Sequence, residues 1–356
     1  MSDTGAYRKR ISLKIRIDHI FPFVLLVLII IFVGGNSVNP DIKNYMTSYS
    51  NTGVAGQIEG SPLYKILVQL FSHLGVSFEL FRLLIYSVGY FILWKANERI
   101  GVNSTLTYIC YAISLMMADS TQTYNYLGMV CLYAAVSHLV SDQNWNRIKY
   151  IIWIAIAIGF HVAFLFYFPF IFVYSRTDRK QLFKIYIAVL AIMTILSTVA
   201  SVSGLSSIIQ RILTLIGMNS YQVYLNSRTR YGHLYPMIRH LLCCGCSFGF
   251  YYYAEKYEME SKGLLRIFLL LNLYGIFAFP LFRFQLTIAR LTRNLELITF
   301  ASGILYMKER NSQNSKIIVA VLLFIIALIL GYYTVYKNYY DTIVLPFWNN
   351  NWILGR

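Results

Sequence analysis

The sequence predicts an all-α polytopic membrane protein, a single integral membrane domain over residues 1–356, and three observations carry that prediction. Hydrophobic residues make up 57% of the chain and charged residues 13%. The apolar residues fall in runs of bilayer length, and the basic residues gather in the short stretches between runs. A hydrocarbon core of about 30 Å takes roughly 20 apolar residues per helix, and every backbone group inside it needs an internal partner, so the runs are helices. Their length and lack of alternation exclude an outer-membrane barrel. The formal charge of +16 reads as a topology signal, because its residues sit between spans, and no nucleic-acid partner is expected. Cys110, Cys131, Cys243, Cys244 and Cys246 lie in or beside apolar runs without metal-ligand spacing and read as packing residues. No metal or cofactor is expected.

The elements follow in order from the charges that flank them. Arg8, Lys9, Arg10, Lys14 and Arg16 precede the apolar run 20–33, which puts the N-terminus in the cytoplasm and residues 35–77 in a first outer loop. Within that loop, residues 61–75 are too short to span. Lys65, Gln69 and His73 recur along one side, as in a helix lying in the interface. Ser61 and Pro62 suit its N-cap and first position. Residues 78–94 cross inward to Lys95 and Arg99, 105–117 cross outward, 118–125 form a short outer turn, and 126–140 cross inward to Arg147 and Lys149.

Residues 150–174 have basic residues at both ends, so both ends read as cytoplasmic. The stretch is therefore expected to enter and return as a broken re-entrant hairpin, breaking near Gly159, Phe160 and His161. Non-helical backbone at that depth must be buried in protein or line a cavity. Residues 186–202 go out, 203–235 form a second outer segment, and 237–254 come in. Residues 267–281 go out, 283–307 return, and 317–333 cross last, leaving the C-terminus outside. The sum is about nine full transmembrane helices plus the hairpin.

Two places depart from the positive-inside pattern. The second outer segment holds Arg211, Arg228, Arg230 and His233 without a carboxylate. The span from 283 opens with Arg283, Arg290 and Arg293, which would fall within about an 80° arc of a regular helix. Intramembrane arginine costs about 2.5–3.5 kcal/mol on insertion scales, so such a stripe faces a cavity or a counter-charge. Either Arg293 pairs with Glu296 while Arg283 snorkels to the interface, or the guanidinium forks hold phosphate oxygens. Asp41 and Glu59 are the carboxylates of the first outer loop, read either as solvated loop residues or as chemistry. His161 is either a hydrogen-bonded core histidine or a catalytic base. Tyr45, Tyr49, Tyr231 and, in the same segment, His233 could offer faces or polar edges to sugar rings.

The order of these features resembles the EpsG-like group of Wzy polysaccharide polymerases. It runs from Asp-x3-Tyr-x3-Tyr at Asp41, Tyr45 and Tyr49 to Glu-Gly-x-Pro-Leu-Tyr from Glu59 to Tyr64. Leu-Gly-x-Ser at Leu74, Gly75 and Ser77 follows, then His161 in a broken segment, an Arg-rich late span at Arg290, and Pro346-Phe347 near the end. One departure is at Thr121-Gln122, where relatives often carry Arg-Gln and this chain keeps only the Gln. The resemblance implies a GT-C-like glycosyltransferase in the bacterial inner membrane that joins undecaprenyl-diphosphate-linked oligosaccharide repeat units into O-antigen or a related surface polysaccharide. It would work at the outer face, with membrane lipid and a chain-length regulator as further partners. On that reading Asp41, Glu59 and His161 are the catalytic set. Arg283, Arg290, Arg293, Arg228, Arg230 and Arg211 bind diphosphate, and Tyr45, Tyr49, Tyr231 and His233 bind sugar. Competing readings are a flippase or transporter of lipid-linked oligosaccharide, an O-antigen ligase and a membrane acyltransferase.

Overall fold

The computed structural model describes residues 4–51, 60–140, 144–173, 232–283 and 286–355, with isolated positions at 184, 188–192, 207, 210, 211, 214 and 215. Among these the elements are helices joined by turns, with an isolated antiparallel bridge between Asn36 and Asn351 and no strand. Two helical stretches, Lys262–Phe282 and Gln313–Asn349, are long and apolar enough to cross a membrane, and Ile20–Gly35 and Val162–Phe172 are shorter apolar helices. With the composition, this makes a helical membrane protein.

Helix α1 (Thr4–Gly35) leads into a short α2 (Ile42–Ser50) and α3 (Pro62–His73). Pro62 occupies the first turn of α3, where its missing N–H costs nothing. Helix α4 (Phe78–Ile100) starts with the Ser77 hydroxyl accepting from the Leu80 N–H at 3.3 Å. It ends at Gly101 with φ 78°, a left-handed cap that a side chain would strain. The bundle continues with α5 (Ser104–Ser114), α6 (Met116–Thr121), α7 (Thr123–Ser137) and α8 (Asn144–Phe160). Beyond 232 come α9 (Leu234–Lys256), α10 (Lys262–Gly275), α11 (Glu296–Lys308) and α12 (Gln313–Gly331).

Helix α7 is the centre of the core, buried at every residue from Asn125 to Ser137. A helix with no exposed stripe must be surrounded by others, and α7 packs against α4 on one side and α8 on another. Small residues allow the closest approaches: a methyl added at Gly128 would run into the Phe164 ring.

Polar contacts separate the two ends of the bundle. At one end Lys308 Nζ donates to the Gly101 carbonyl at 3.0 Å, Glu309 accepts from the Ser261 N–H at 3.0 Å, and Arg99 reaches Ser137 at 2.8 Å. At the other end the C-terminal segment straps onto α1. Trp352 N–H donates to Gly35 O at 3.0 Å, Ser37 N–H to Asn350 O at 3.1 Å, and Asn351 Nδ2 to Ile31 O at 3.0 Å.

The structure corrects three expectations of continuity. Residues 118–125 are not an open turn: α6 and the start of α7 meet at Gln122, and Ala118 to Thr121, Thr123 and Asn125 are buried. Residues 283–307 are not one helix. A 3₁₀ segment, Ile276–Arg283, holds Pro280, and it is followed by a second, Leu286–Ala289, then one turn, Arg290–Arg293, and then α11. Pro280 cannot donate to an α-helical ladder, and the common arc for three arginines goes with the regular helix. Finally, the last helix, expected over 317–333, does not stop there. The chain continues from α12 through π-helical turns at Tyr332–Tyr336 and Tyr340–Val344 to a last helix, Leu345–Asn349.

Helix α8 ends at His161, within the stretch where a break was expected. His161 has extended φ −156° and ψ 117°, a 3₁₀ segment Val162–Tyr167 follows, and the chain doubles back until the Tyr150 hydroxyl donates to Tyr167 O at 2.8 Å. The tip is pinned to the start of α3 by the Val162 N–H donating to Gly60 O at 2.9 Å.

Candidate functional site

At the strapped end of the bundle, five parts of the chain close around a cavity of about 300 Å³. Pro40 and Asp41 come from the start of α2, Thr121 and Gln122 from the α6–α7 break, and Tyr235 and Arg239 from α9. Arg290 and Arg293 come from the single turn before α11, and Tyr333, Thr334, Asn338 and Tyr339 from the π-helical segment.

Two of the three guanidinium groups, those of Arg293 and Arg239, are placed by named partners. Arg293 is buried, with Nη2 2.6 Å from Gln122 Oε1 and 3.3 Å from Asp119 Oδ1. The turn that carries it is fastened at both ends. Leu291 O accepts from the Tyr167 hydroxyl, and Asn294 exchanges amide hydrogen bonds with Asn125 at 2.9 and 3.1 Å. Arg239 sits 3.0 Å from Glu296 Oε1 and donates to Thr334 Oγ1 at 2.9 Å. Two buried carboxylates therefore hold two arginines in register, which offsets the desolvation that a lone buried cation suffers. Arg290 lies on the same cavity wall.

Asp41 faces this row. Its N–H donates to Asn39 Oδ1 at 3.1 Å, and Asn39 Nδ2 donates to Asn36 Oδ1 at 2.9 Å, a local network that fixes the entry to α2. Arg82, 3% exposed, locks the loop from below. It donates to Asn36 O, to Val33 O at 3.4 Å and to Ser120 O at 3.3 Å, so its charge sits against carbonyls at the ends of α1 and α6. Burial raises the Asp41 carboxyl above its ordinary value, and the positive charge of Arg290 partly opposes the rise. A carboxylate raised in this way is a better proton acceptor than one left in water.

Of the residues singled out from sequence, the fold brings Asp41, Arg290 and Arg293 to one cavity. His161 lies within the electrostatic reach of Arg290 but does not line the cavity. Its Nδ1 accepts from the Ala163 N–H at 3.3 Å. Arg293 pairs with Asp119, not with Glu296, whose partner is Arg239. Tyr45 and Tyr49, expected at a sugar-facing surface, are instead packing residues. Tyr45 rests edge-on to Tyr124 at 4.9 Å and near Tyr64 at 6.3 Å, and the Tyr49 hydroxyl donates to Val76 O at 2.7 Å. Their rings pack against α3, α4 and the start of α7, where aromatic burial stabilises the first loop. His233 is buried just ahead of α9, and Arg211 is exposed and off the cavity wall. Arg283 closes a 3₁₀ segment, and its side chain, with Glu59, Arg228, Arg230 and Tyr231, lies outside the described residues.

Sequence reasoning missed Asp119, Arg239 and Arg82. Each had a signal: Asp119 and Arg239 are each the lone Asp, Glu, Lys or Arg of an apolar stretch, Arg82 shares its stretch only with Glu79, and such residues in a membrane helix are functional candidates with a partner to be named. The partners are far apart in the chain, so the pairing itself could not be read.

The fold and the cavity together define a helical membrane protein with an arginine-lined polar site. The family model described as the EpsG family matches residues 19–348, nearly the whole chain, and the chain belongs to that family. Membership points to polysaccharide-polymerase-like work in surface polysaccharide biosynthesis. Neither a curated protein nor a solved structure matches the chain.

Proposed function

We propose that this protein is a glycosyltransferase that joins undecaprenyl-diphosphate-linked oligosaccharide repeat units at the outer face of a bacterial inner membrane. The observation that carries the reading is the meeting, in one cavity, of Arg239, Arg290 and Arg293 with Asp41. Arginine forks match phosphate oxygens, and a preorganised row of them stabilises the charge that a lipid diphosphate gains as it leaves.

The reaction follows from that geometry. A hydroxyl oxygen of the acceptor sugar forms a bond to the anomeric carbon of the donor. The carbon–oxygen bond to the donor's diphosphate breaks, and its electron pair leaves with the diphosphate. The hydroxyl proton passes to the Asp41 carboxylate. Holding both lipid-anchored substrates beside one cavity supplies the proximity that a bimolecular encounter lacks. His161, off the cavity wall with Nδ1 accepting from the Ala163 N–H, is given no step in this reaction. Glu59 remains a candidate for positioning the acceptor, since its neighbour Gly60 is bonded to the hairpin tip.

The topology belongs to the same proposal. With a cytoplasmic N-terminus, the end of α1 lies outside, and the strap of Asn350 to Trp352 onto Gly35 to Ser37 brings the C-terminus and the cavity to that side. Contacts among residues 99–101, 261 and 308–309 gather the basic loops at the opposite end.

The test is a gel profile of surface polysaccharide from cells lacking the gene, complemented with wild type or Arg290→Ala. The expected result is a collapse to core carrying one repeat unit, with ladders restored by wild type alone. Core without any repeat would replace this reading with flipping or ligation, and a full ladder from Arg290→Ala would remove the arginine site.

A further inference from the structure

We propose that Tyr333, Asn338 and Tyr339 form the subsite for the pyranose ring attached to the diphosphate, which rests on the reading of the arginine cavity above. These residues share the cavity with Arg239, Arg290 and Arg293, so a ligand anchored by its phosphates extends its next group toward them.

The backbone of this segment is built to present them. In an uninterrupted α-helix, positions 333, 334, 338, 339 and 343 would spread over about 260° of arc, at 3.6 residues per turn. Here all five line one cavity. Two π-helical segments, Tyr332–Tyr336 and Tyr340–Val344, and a break at Tyr339 with φ −132° and ψ 25° re-aim them. π-Turns are rare and weaken a helix, and they recur where a side chain must be redirected. The segment is also tethered to the cationic row, because Thr334 Oγ1 accepts from Arg239 at 2.9 Å.

The chemistry of the wall suits a sugar. Tyr339 is 50% exposed and makes no ring contact or hydrogen bond among the described residues, so its face is available. Tyr333 leans on Tyr235 with ring centroids 5.1 Å apart and has Lys337 Nζ 5.4 Å from its ring centroid, so Tyr339 supplies the open face and Tyr333 an edge beside it. The Asn338 amide is exposed and makes no hydrogen bond among the described residues, leaving donors and an acceptor for hydroxyl or acetamido groups. A pyranose presents polarised C–H bonds on its flat face and hydroxyls at its rim. The negative face of a tyrosine ring and a side-chain amide match those two surfaces. Tyr45 and Tyr49, buried in the first loop, cannot serve in this way.

The experiment compares binding to detergent-purified full-length protein of farnesyl diphosphate and of farnesyl diphosphate carrying glucose, galactose or N-acetylglucosamine. At least one sugar-bearing probe is expected to bind wild type about tenfold more tightly than the plain diphosphate. Tyr339→Ala and Asn338→Ala should each remove that advantage while binding plain farnesyl diphosphate as wild type does, which also shows that they fold. Equal affinity of wild type for all four probes, or variants that keep the advantage, would overturn the subsite and leave the arginine site standing. Failure of farnesyl diphosphate itself to bind wild type would overturn the cavity reading, and the subsite with it.

Discussion

Two aspartates face the same row of arginines, and the fold treats them in opposite ways. Asp119, in the short helix before the Gln122 break, is fully buried, with Arg293 at 3.3 Å and the Tyr111 hydroxyl at 3.1 Å. Its backbone carbonyl also accepts from Tyr86 at 2.9 Å. Asp41, in the first loop, lines the cavity, and its carboxylate makes no hydrogen bond among the described residues. A carboxylate saturated with donors is poor at taking another proton and good at fixing a cation. One held at a cavity wall by its backbone alone keeps its lone pairs for a substrate. The pairing of Asp119 organises the site, and the openness of Asp41 makes it the candidate base.

That contrast can be broken most sharply at Asp41. Asp41→Asn is expected to lower the polymerisation rate by about 10²–10⁴-fold while the protein accumulates in membranes at the wild-type level. A normal ladder of chain lengths would end its role. Because the working form is ionised, the rate should fall as pH drops through the raised value of Asp41. Its acid limb should therefore lie above the roughly 3.9 of a free aspartate. A limb at or below that value, in a pH profile of the purified enzyme, would contradict the burial argument.

At Asp119 the expected loss is in stability. Asp119→Ala leaves Arg293 buried without its counter-charge, at a cost of about 3–5 kcal/mol, read as a fall in the unfolding midpoint in detergent. Asp119→Asn should retain part of that stability, since an amide can still accept from Arg293. Equal midpoints for Asp119→Ala and Asp41→Ala would erase the distinction between the two sites. A smaller effect tests the support beneath the arginine turn. Gly128→Ala drives a methyl against Phe164 and should cost about 1–3 kcal/mol. Thermal unfolding unchanged from wild type would mean that the hairpin does not rest on α7 as described.

The legibility of this chain followed the range of the interactions involved. The break at His161 was visible because it is a local consequence of charge: basic residues on both sides of one apolar stretch leave no single crossing available. The helix entry at Ser61–Pro62 was equally local and could be read directly, although the Ser61 hydroxyl makes no cap hydrogen bond there. The arginine turn was half legible. Arg290 and Arg293 were picked out by their cost in an apolar run, but the assumption of a regular helix grouped Arg283 with them and offered the neighbouring Glu296 as one of two readings for Arg293.

By itself the sequence determined a helical membrane chain of the EpsG family, the ionisable residues that must justify their burial, and the place where one apolar stretch breaks. Only the tertiary structure decided who meets whom. Asp119 reaches Arg293 across 174 positions of the chain, Asn125 reaches Asn294 across 169, and Asn351 reaches Ile31 across 320. Hydropathy and helical period act over a few turns, whereas an ion pair, an amide pair or a π-turn aimed into a cavity depends on the packing of helices remote in sequence, and that packing is a property of the whole bundle.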